Sequence, residues 1–190
     1  FSNYSLSFDG ANYINCGDSD IFSFGDGTSD SPFSLSAWVY ITGTTSQGIV
    51  TKYAASASLR EWLFYTTGGQ IRLLLYNGST NTMATSTTTL SINTWYHVVC
   101  TYDGRGGSNA NQGINLYIDG IQESVTLAGG NYSYMTNTTQ PVEIGRHSGS
   151  SYLNGNIDET AIFNTELTSA QVLEIYNNGR PKDLSTFSGT

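Results

Sequence analysis

Charge is scarce in this chain. Only 12% of its 190 residues are Asp, Glu, Lys or Arg, and seven of those are basic. A net charge of −8 with so few cations leaves no basic face to neutralise phosphates, which argues against a nucleic-acid partner. Cysteine is almost absent. Cys16 and Cys100 are too few for a disulfide scaffold and leave either one bridge or two free thiols. No apolar run approaches the roughly 20 residues of a membrane span, so no membrane insertion is expected. A phosphate-binding loop and a dinucleotide fingerprint are both missing. The two histidines, His97 and His147, have no Cys, Asp or His at metal or triad spacing. His97 falls inside a predicted strand and reads as a packed or hydrogen-bonded residue rather than a base.

What the chain does contain is Gly, Ser, Thr, Asn and 13 tyrosines, a mixture suited to strands joined by polar turns. The length and the 38% hydrophobic content suffice for one sandwich-sized domain over residues 1–181, followed by an aperiodic tail over 182–190. Residues 4–8 alternate and stop at Asp9-Gly10. Phe33 to Ile41 and Trp95 to Tyr102 read as long period-two strands. Thr67-Gly68-Gly69 and Asp119-Gly120 predict hairpins, because such turns need positive φ. Counted together, about ten to thirteen short strands imply an all-β, two-sheet antiparallel sandwich or jelly roll. One helix is expected, at the C-terminal end. Ser169 caps it, Val172, Leu173 and Tyr176 share a face, and Gly179 and Pro181 close it.

Aromatic and polar planar groups are most concentrated between Lys52 and Asn77. Lys52, Tyr53, Arg60, Trp62, Tyr65, Arg72, Tyr76 and Asn77 all fall there, with three of the seven basic residues. Sugar recognition needs flat apolar rings with hydrogen-bonding tips, and Tyr and Trp supply both. Alternation along a strand predicts that Arg60 and Trp62 share a face, as do Arg72 and Tyr76. A second candidate is the loop from Arg146 to Tyr152, with Arg146, His147 and Tyr152.

The segments SLSFDGANYINCGD, SPFSLSAWVYI, TWYHVVCTYDG, INLYIDGIQ and GNIDETAIFNTELTSAQVLEIY follow one another in an order that resembles laminin-G-like domains of the concanavalin A-like lectin/glucanase superfamily. The resemblance spans nearly the whole chain. It implies two packed antiparallel sheets whose first and last strands, around Phe8 and Ile157, lie side by side. It also implies that Asp9 and Asp158 come together to hold calcium, which takes six to eight oxygen ligands. The plainer alternative is that Asp9 serves its turn and Asp158 accepts backbone hydrogen bonds. Glucanases of this superfamily carry acids alternating along one strand, and no Glu-X-Asp-X-Glu pattern exists here. Asp158 and Glu159 are adjacent and point to opposite faces of a strand. The expectation is therefore a non-catalytic, calcium-stabilised, lectin-like module that binds a polysaccharide or cell-surface glycan. Such a module would sit among other domains of a larger extracellular, cell-surface or virion protein. The alternative is a structural or adhesion domain of a phage or bacterial appendage, with no sugar site.

Overall fold

The computed structural model describes residues 5–184 and 187. Tyr4, where the first alternation begins, lies outside them, as does most of the last stretch of the tail. The strands are β1 (Leu6–Asp9), β2 (Ile14–Asn15), β3 (Phe33–Ile41), β4 (Gln47–Tyr53), β5 (Arg60–Thr67), β6 (Gln70–Tyr76), β7 (Asn81–Ser86) and β8 (Trp95–Tyr102). They continue with β9 (Ile114–Ile118), β10 (Ile121–Gln122), β11 (Val125–Ala128), β12 (Glu143–Ile144), β13 (Arg146–His147), β14 (Ser151–Tyr152) and β15 (Asn154–Phe163). Helix α1 covers Ser169–Tyr176.

Among the described residues, two antiparallel sheets form a sandwich. One has the order β1-β15-β3-β8-β9-β10 and the other β11-β7-β6-β5-β4-β12-β2, with β13 and β14 as a separate hairpin. The inward residues of both sheets make one core, with Leu35, Ala37, Val39 and Ile41 of β3 meeting Trp62, Phe64, Leu73 and Leu75 of β5 and β6. Alternation does this: every second side chain of a strand leaves water, and each large apolar side chain so buried contributes on the order of 1.5–3 kcal/mol. The predicted turns form. Asp119 and Gly120 have φ of 52° and 77°, and Gly68 and Gly69 have 61° and 77°.

The first and last strands pair, with Leu6 opposite Ile157 and Phe8 opposite Gly155. The outer face of the six-stranded sheet is covered by α1. Val172 and Ile175 pack there with Val99, Tyr117, Phe163, Leu167 and the tail residue Phe187. The helix cap is Thr168, one residue earlier than expected. Its hydroxyl accepts from the Gln171 N–H while the Gln171 side chain accepts from the Thr168 N–H, a reciprocal box that Ser169 has no Gln in position to complete. Leu173 is exposed, and Ile175 takes the buried place. Both cysteines are free, Cys100 in the core and Cys16 at the surface.

Candidate functional site

The outer face of the seven-stranded sheet differs in kind from its helix-covered counterpart. Leu63, Tyr65, Leu74 and Tyr76 form a cluster on it, with Tyr53 and Met83 packed against them. Tyr53, Arg60, Arg72 and Met83 are half-buried, so solvent reaches the face along its rim. The Arg60 guanidinium lies 5.3 Å from the Tyr53 ring centre and 5.6 Å from that of Tyr76. Its Nε donates to the Ala54 carbonyl at 3.3 Å, and a terminal nitrogen donates to Ala55. Burial pushes the Tyr76 phenol well above its ordinary pKa, helped by the neighbouring hydroxyls of Tyr53 and Tyr65 and opposed by Arg60. Three tyrosine hydroxyls and a guanidinium thus converge above an apolar floor.

The β13–β14 hairpin stands over the β4 end of this face. Gly48 permits the approach, since a Cβ there would overlap the Arg146 backbone. The Thr51 hydroxyl donates to the Arg146 carbonyl at 2.8 Å. His147 is thereby set edge-on to Tyr65, with ring centres 5.3 Å apart, and to Tyr53 at 6.2 Å. Desolvation lowers the His147 pKa to about 4, so the ring is neutral at neutral pH. Beyond the hairpin lies a cleft of about 360 Å³ lined by Asn15, Tyr53, Gln140, Glu143, Arg146 and Ser148 among others. Arg146 forms an ion pair with the buried Glu143 and stacks 3.4 Å over the Tyr13 ring. Its hydrogen bonding to Glu143 holds the guanidinium pKa above the usual value. Tyr152 faces Arg146 across the hairpin, its hydroxyl 3.5 Å from a guanidinium nitrogen.

The residues expected to bind ligand therefore divide. Tyr53, Arg60, Arg72 and Tyr76 share the outer face, and Arg146 and Tyr152 sit at the adjoining cleft. Three others are corrected. Lys52 is fully buried, with Nζ held by Asp18 at 2.7 Å, Glu61 at 3.0 Å and the carbonyls of Thr138 and Gln140. Trp62 lies in the core, its indole N–H donating to the Phe22 carbonyl at 2.9 Å. It does not share a face with Arg60, because the β4–β5 register passes from Lys52–Trp62 to Tyr53–Arg60 and skips Glu61. That bulge reverses the alternation across one residue. Asn77 is occupied by its own turn, accepting from Thr80 and donating to the Ser133 hydroxyl at 2.6 Å. Tyr65 and His147 complete the face. Tyr65 comes from the aromatic-rich Lys52–Asn77 segment, and His147, from the Arg146–Tyr152 loop, reaches the face only through the hairpin.

Asp9 and Asp158 are not brought together. Asp9 pairs with Asn154, and the same register puts Asp158 beyond Leu6, four residues or about 13 Å further along the strand. One Asp9 carboxylate oxygen accepts the N–H groups of Ala11 and Asn12, and an Asp158 oxygen accepts from Glu159. One calcium ion cannot bridge the two. No group of three or more His, Cys, Asp or Glu side chains among the described residues is placed to hold a metal.

Residues 8–173 match the laminin-G family described as the concanavalin A-like lectin/glucanases superfamily, and the chain belongs to that family. No curated protein matches it. Among solved structures it is similar to the CBM40 domain of Ruminococcus gnavus IT-sialidase bound to α2,3-sialyllactose, with a TM-score of 0.68 and 10% identity over 92% of this chain and 97% of that one. It is similar to domain 4 of AbnA, an extracellular GH43 arabinanase of Geobacillus stearothermophilus in complex with arabinotriose, with a TM-score of 0.59 and 16% identity over 90% of this chain and 76% of that one. A heptameric SAP-like pentraxin of Limulus polyphemus shares the fold at a TM-score of 0.53 and 15% identity, over 86% and 80% of the two chains. At these identities the likeness is one of fold. Among the described residues, no helix is long and apolar enough to cross a membrane.

Proposed function

We propose that this chain is a non-catalytic carbohydrate-binding module, displayed outside the cell on a larger surface or virion protein, that takes glycans on the outer face of its seven-stranded sheet. The observation that carries this reading is the convergence of Tyr53, Tyr65, Tyr76 and Arg60 on an outer face that the helix does not cover and that solvent reaches at the half-buried Tyr53 and Arg60. Aromatic rings offer pyranose faces a flat partner, while the hydroxyls and guanidinium fix the sugar's orientation. The sialyllactose and arabinotriose carried by two of the fold's relatives support it by analogy. A non-catalytic role agrees with the placement of acids. Strands β4 to β7 carry one carboxylate, Glu61, which is buried against Lys52, whereas a retaining glycosidase needs two acids about 5–5.5 Å apart.

A glycan array probed with the wild-type protein and with Tyr53→Ala and Arg60→Ala tests the reading. Binding that falls at least tenfold in both variants, with unchanged melting temperature, is expected. Silence across the array, or binding indifferent to both substitutions, overturns it and favours a structural or adhesive role.

A further inference from the structure

Four cations of this acidic chain are matched by carboxylates: Lys52 by Asp18 and Glu61, Arg105 by Asp103, Arg146 by Glu143 and Lys182 by Glu174. Arg60, Arg72 and Arg180 have no carboxylate among the described residues; Arg180 is exposed just past the helix, whereas Arg60 and Arg72 both lie half-buried on the outer face of the seven-stranded sheet. Arg60 is engaged by carbonyl oxygens and tyrosine rings, which leave its charge uncompensated. Arg72 stands between Tyr65 and Thr85 on the neighbouring strands, and its Nε is buried with no hydrogen-bond partner. Leaving a charged donor unsatisfied out of water is costly, and a bidentate carboxylate is the acceptor that fits its fork. Arg72 and Tyr76, the residue beneath Arg60, are four apart on β6, about 13 Å at the usual strand rise. The two positive groups therefore flank a floor of Leu63, Leu74 and Tyr65 too long for a single sugar ring.

We infer that this face selects acidic oligosaccharides, with the Arg72 guanidinium gripping a sugar carboxylate while Tyr53, Tyr65 and Tyr76 contact the rings. The inference rests on the glycan-binding reading above and adds the chemical class of the ligand. A neutral sugar leaves both guanidinium charges unmatched, whereas a carboxylated one neutralises a face whose remaining titratable ring, His147, is uncharged at neutral pH.

Calorimetric titration with trigalacturonate and 3′-sialyllactose, each beside its methyl ester, tests it on the wild-type protein and on Arg72→Gln. At least one free acid binds at least tenfold more tightly than its ester, weakening as salt is raised, and Arg72→Gln abolishes that preference. The melting temperature of Arg72→Gln stays at the wild-type value, since no ion pair is lost. Equal binding of acids and esters, sensitive to Tyr53→Ala but not to Arg72→Gln, overturns the acidic specificity while the glycan site stands. No binding by any of the four probes, with neutral glycans alone captured on the array, also overturns the specificity. Silence on both overturns the two readings together.

Discussion

Lys52 Nζ lies 3.0 Å from Glu61 Oε1, with both side chains shut off from solvent. The contact exists because β5 carries one residue more than β4 at this step, so Glu61 swings to the side where Lys52 points. The ammonium also holds Asp18 and two carbonyls of the 138–140 loop, and Glu61 accepts from both the backbone N–H and the hydroxyl of Thr138 at 2.8 Å. Two loops are thereby tied to the edge of the sheet beside the candidate site. Burial raises the Glu61 pKa, and the charge of Lys52 works against that rise.

Removing one member of this pair strands the other in the interior. Lys52→Met is expected to cost about 3–5 kcal/mol, the usual penalty for an uncompensated buried charge. Lys52→Met combined with Glu61→Gln recovers part of the loss. Urea unfolding of the two variants checks this, and a single variant as stable as wild type would show that water reaches the pair.

Much of the architecture follows from local chemistry that can be read in one dimension. The alternation of Phe33 to Ile41 and the Asp119-Gly120 turn both specify what forms, because each depends on neighbours in the chain. The site was half legible. Tyr53, Arg60, Arg72 and Tyr76 lie in the segment richest in aromatic and basic residues. Strict alternation, however, places Arg60 beside Trp62, and only the unforeseeable bulge at Glu61 separates them. Likewise, pairing of the first and last strands is readable from the motif order, but its register is not. The register sets Asp9 against Asn154 rather than Asp158. Phe187 sits in an aperiodic tail yet packs edge-on against Phe163, a long-range contact with no local signal.

Asp30 is a second polar anchor. The hydroxyls of Tyr102 and Tyr132 donate to one of its oxygens at 2.7 and 2.6 Å, and the Met135 N–H donates to the other at 2.8 Å. Burial raises its pKa while these three donors hold it down. Tyr132→Phe removes one donor and should cost about 1–3 kcal/mol, and Asp30→Ala, which orphans all three donors, more. Thermal melting ranks the two, and equal costs would contradict the shared-anchor geometry.

Since Asp9 and Asp158 are held apart and each already accepts backbone N–H groups, neither is free to contribute to a common ion. Treatment with EDTA is expected to leave the melting temperature unchanged, because only an ion bound to the folded state raises stability. A calcium-dependent rise that persists in Asp9→Asn and Asp158→Asn would point to oxygen ligands elsewhere in the chain. A rise lost in those variants would contradict the register.

Acid should loosen the sheet beneath the helix through His97. Its ring is buried against Trp38 and Tyr176, Nε2 meets the Ser36 hydroxyl at 2.8 Å, and Nδ1 has no partner. Desolvation lowers its pKa from 6.5 to about 4. A depressed histidine pKa means that the unfolded chain binds the proton first. The stability it contributes is whole above pH 6.5 and drains away as pH falls toward 4. The shift corresponds to a loss on the order of 3 kcal/mol. Carboxylates titrate over the lower part of the same window, so the measurement is a difference. Unfolding free energies of wild type and His97→Gln, followed from pH 7 to pH 4, should converge as the pH drops, because glutamine cannot take up the proton. Parallel curves would mean that the ring stays solvated enough to titrate normally in the folded state.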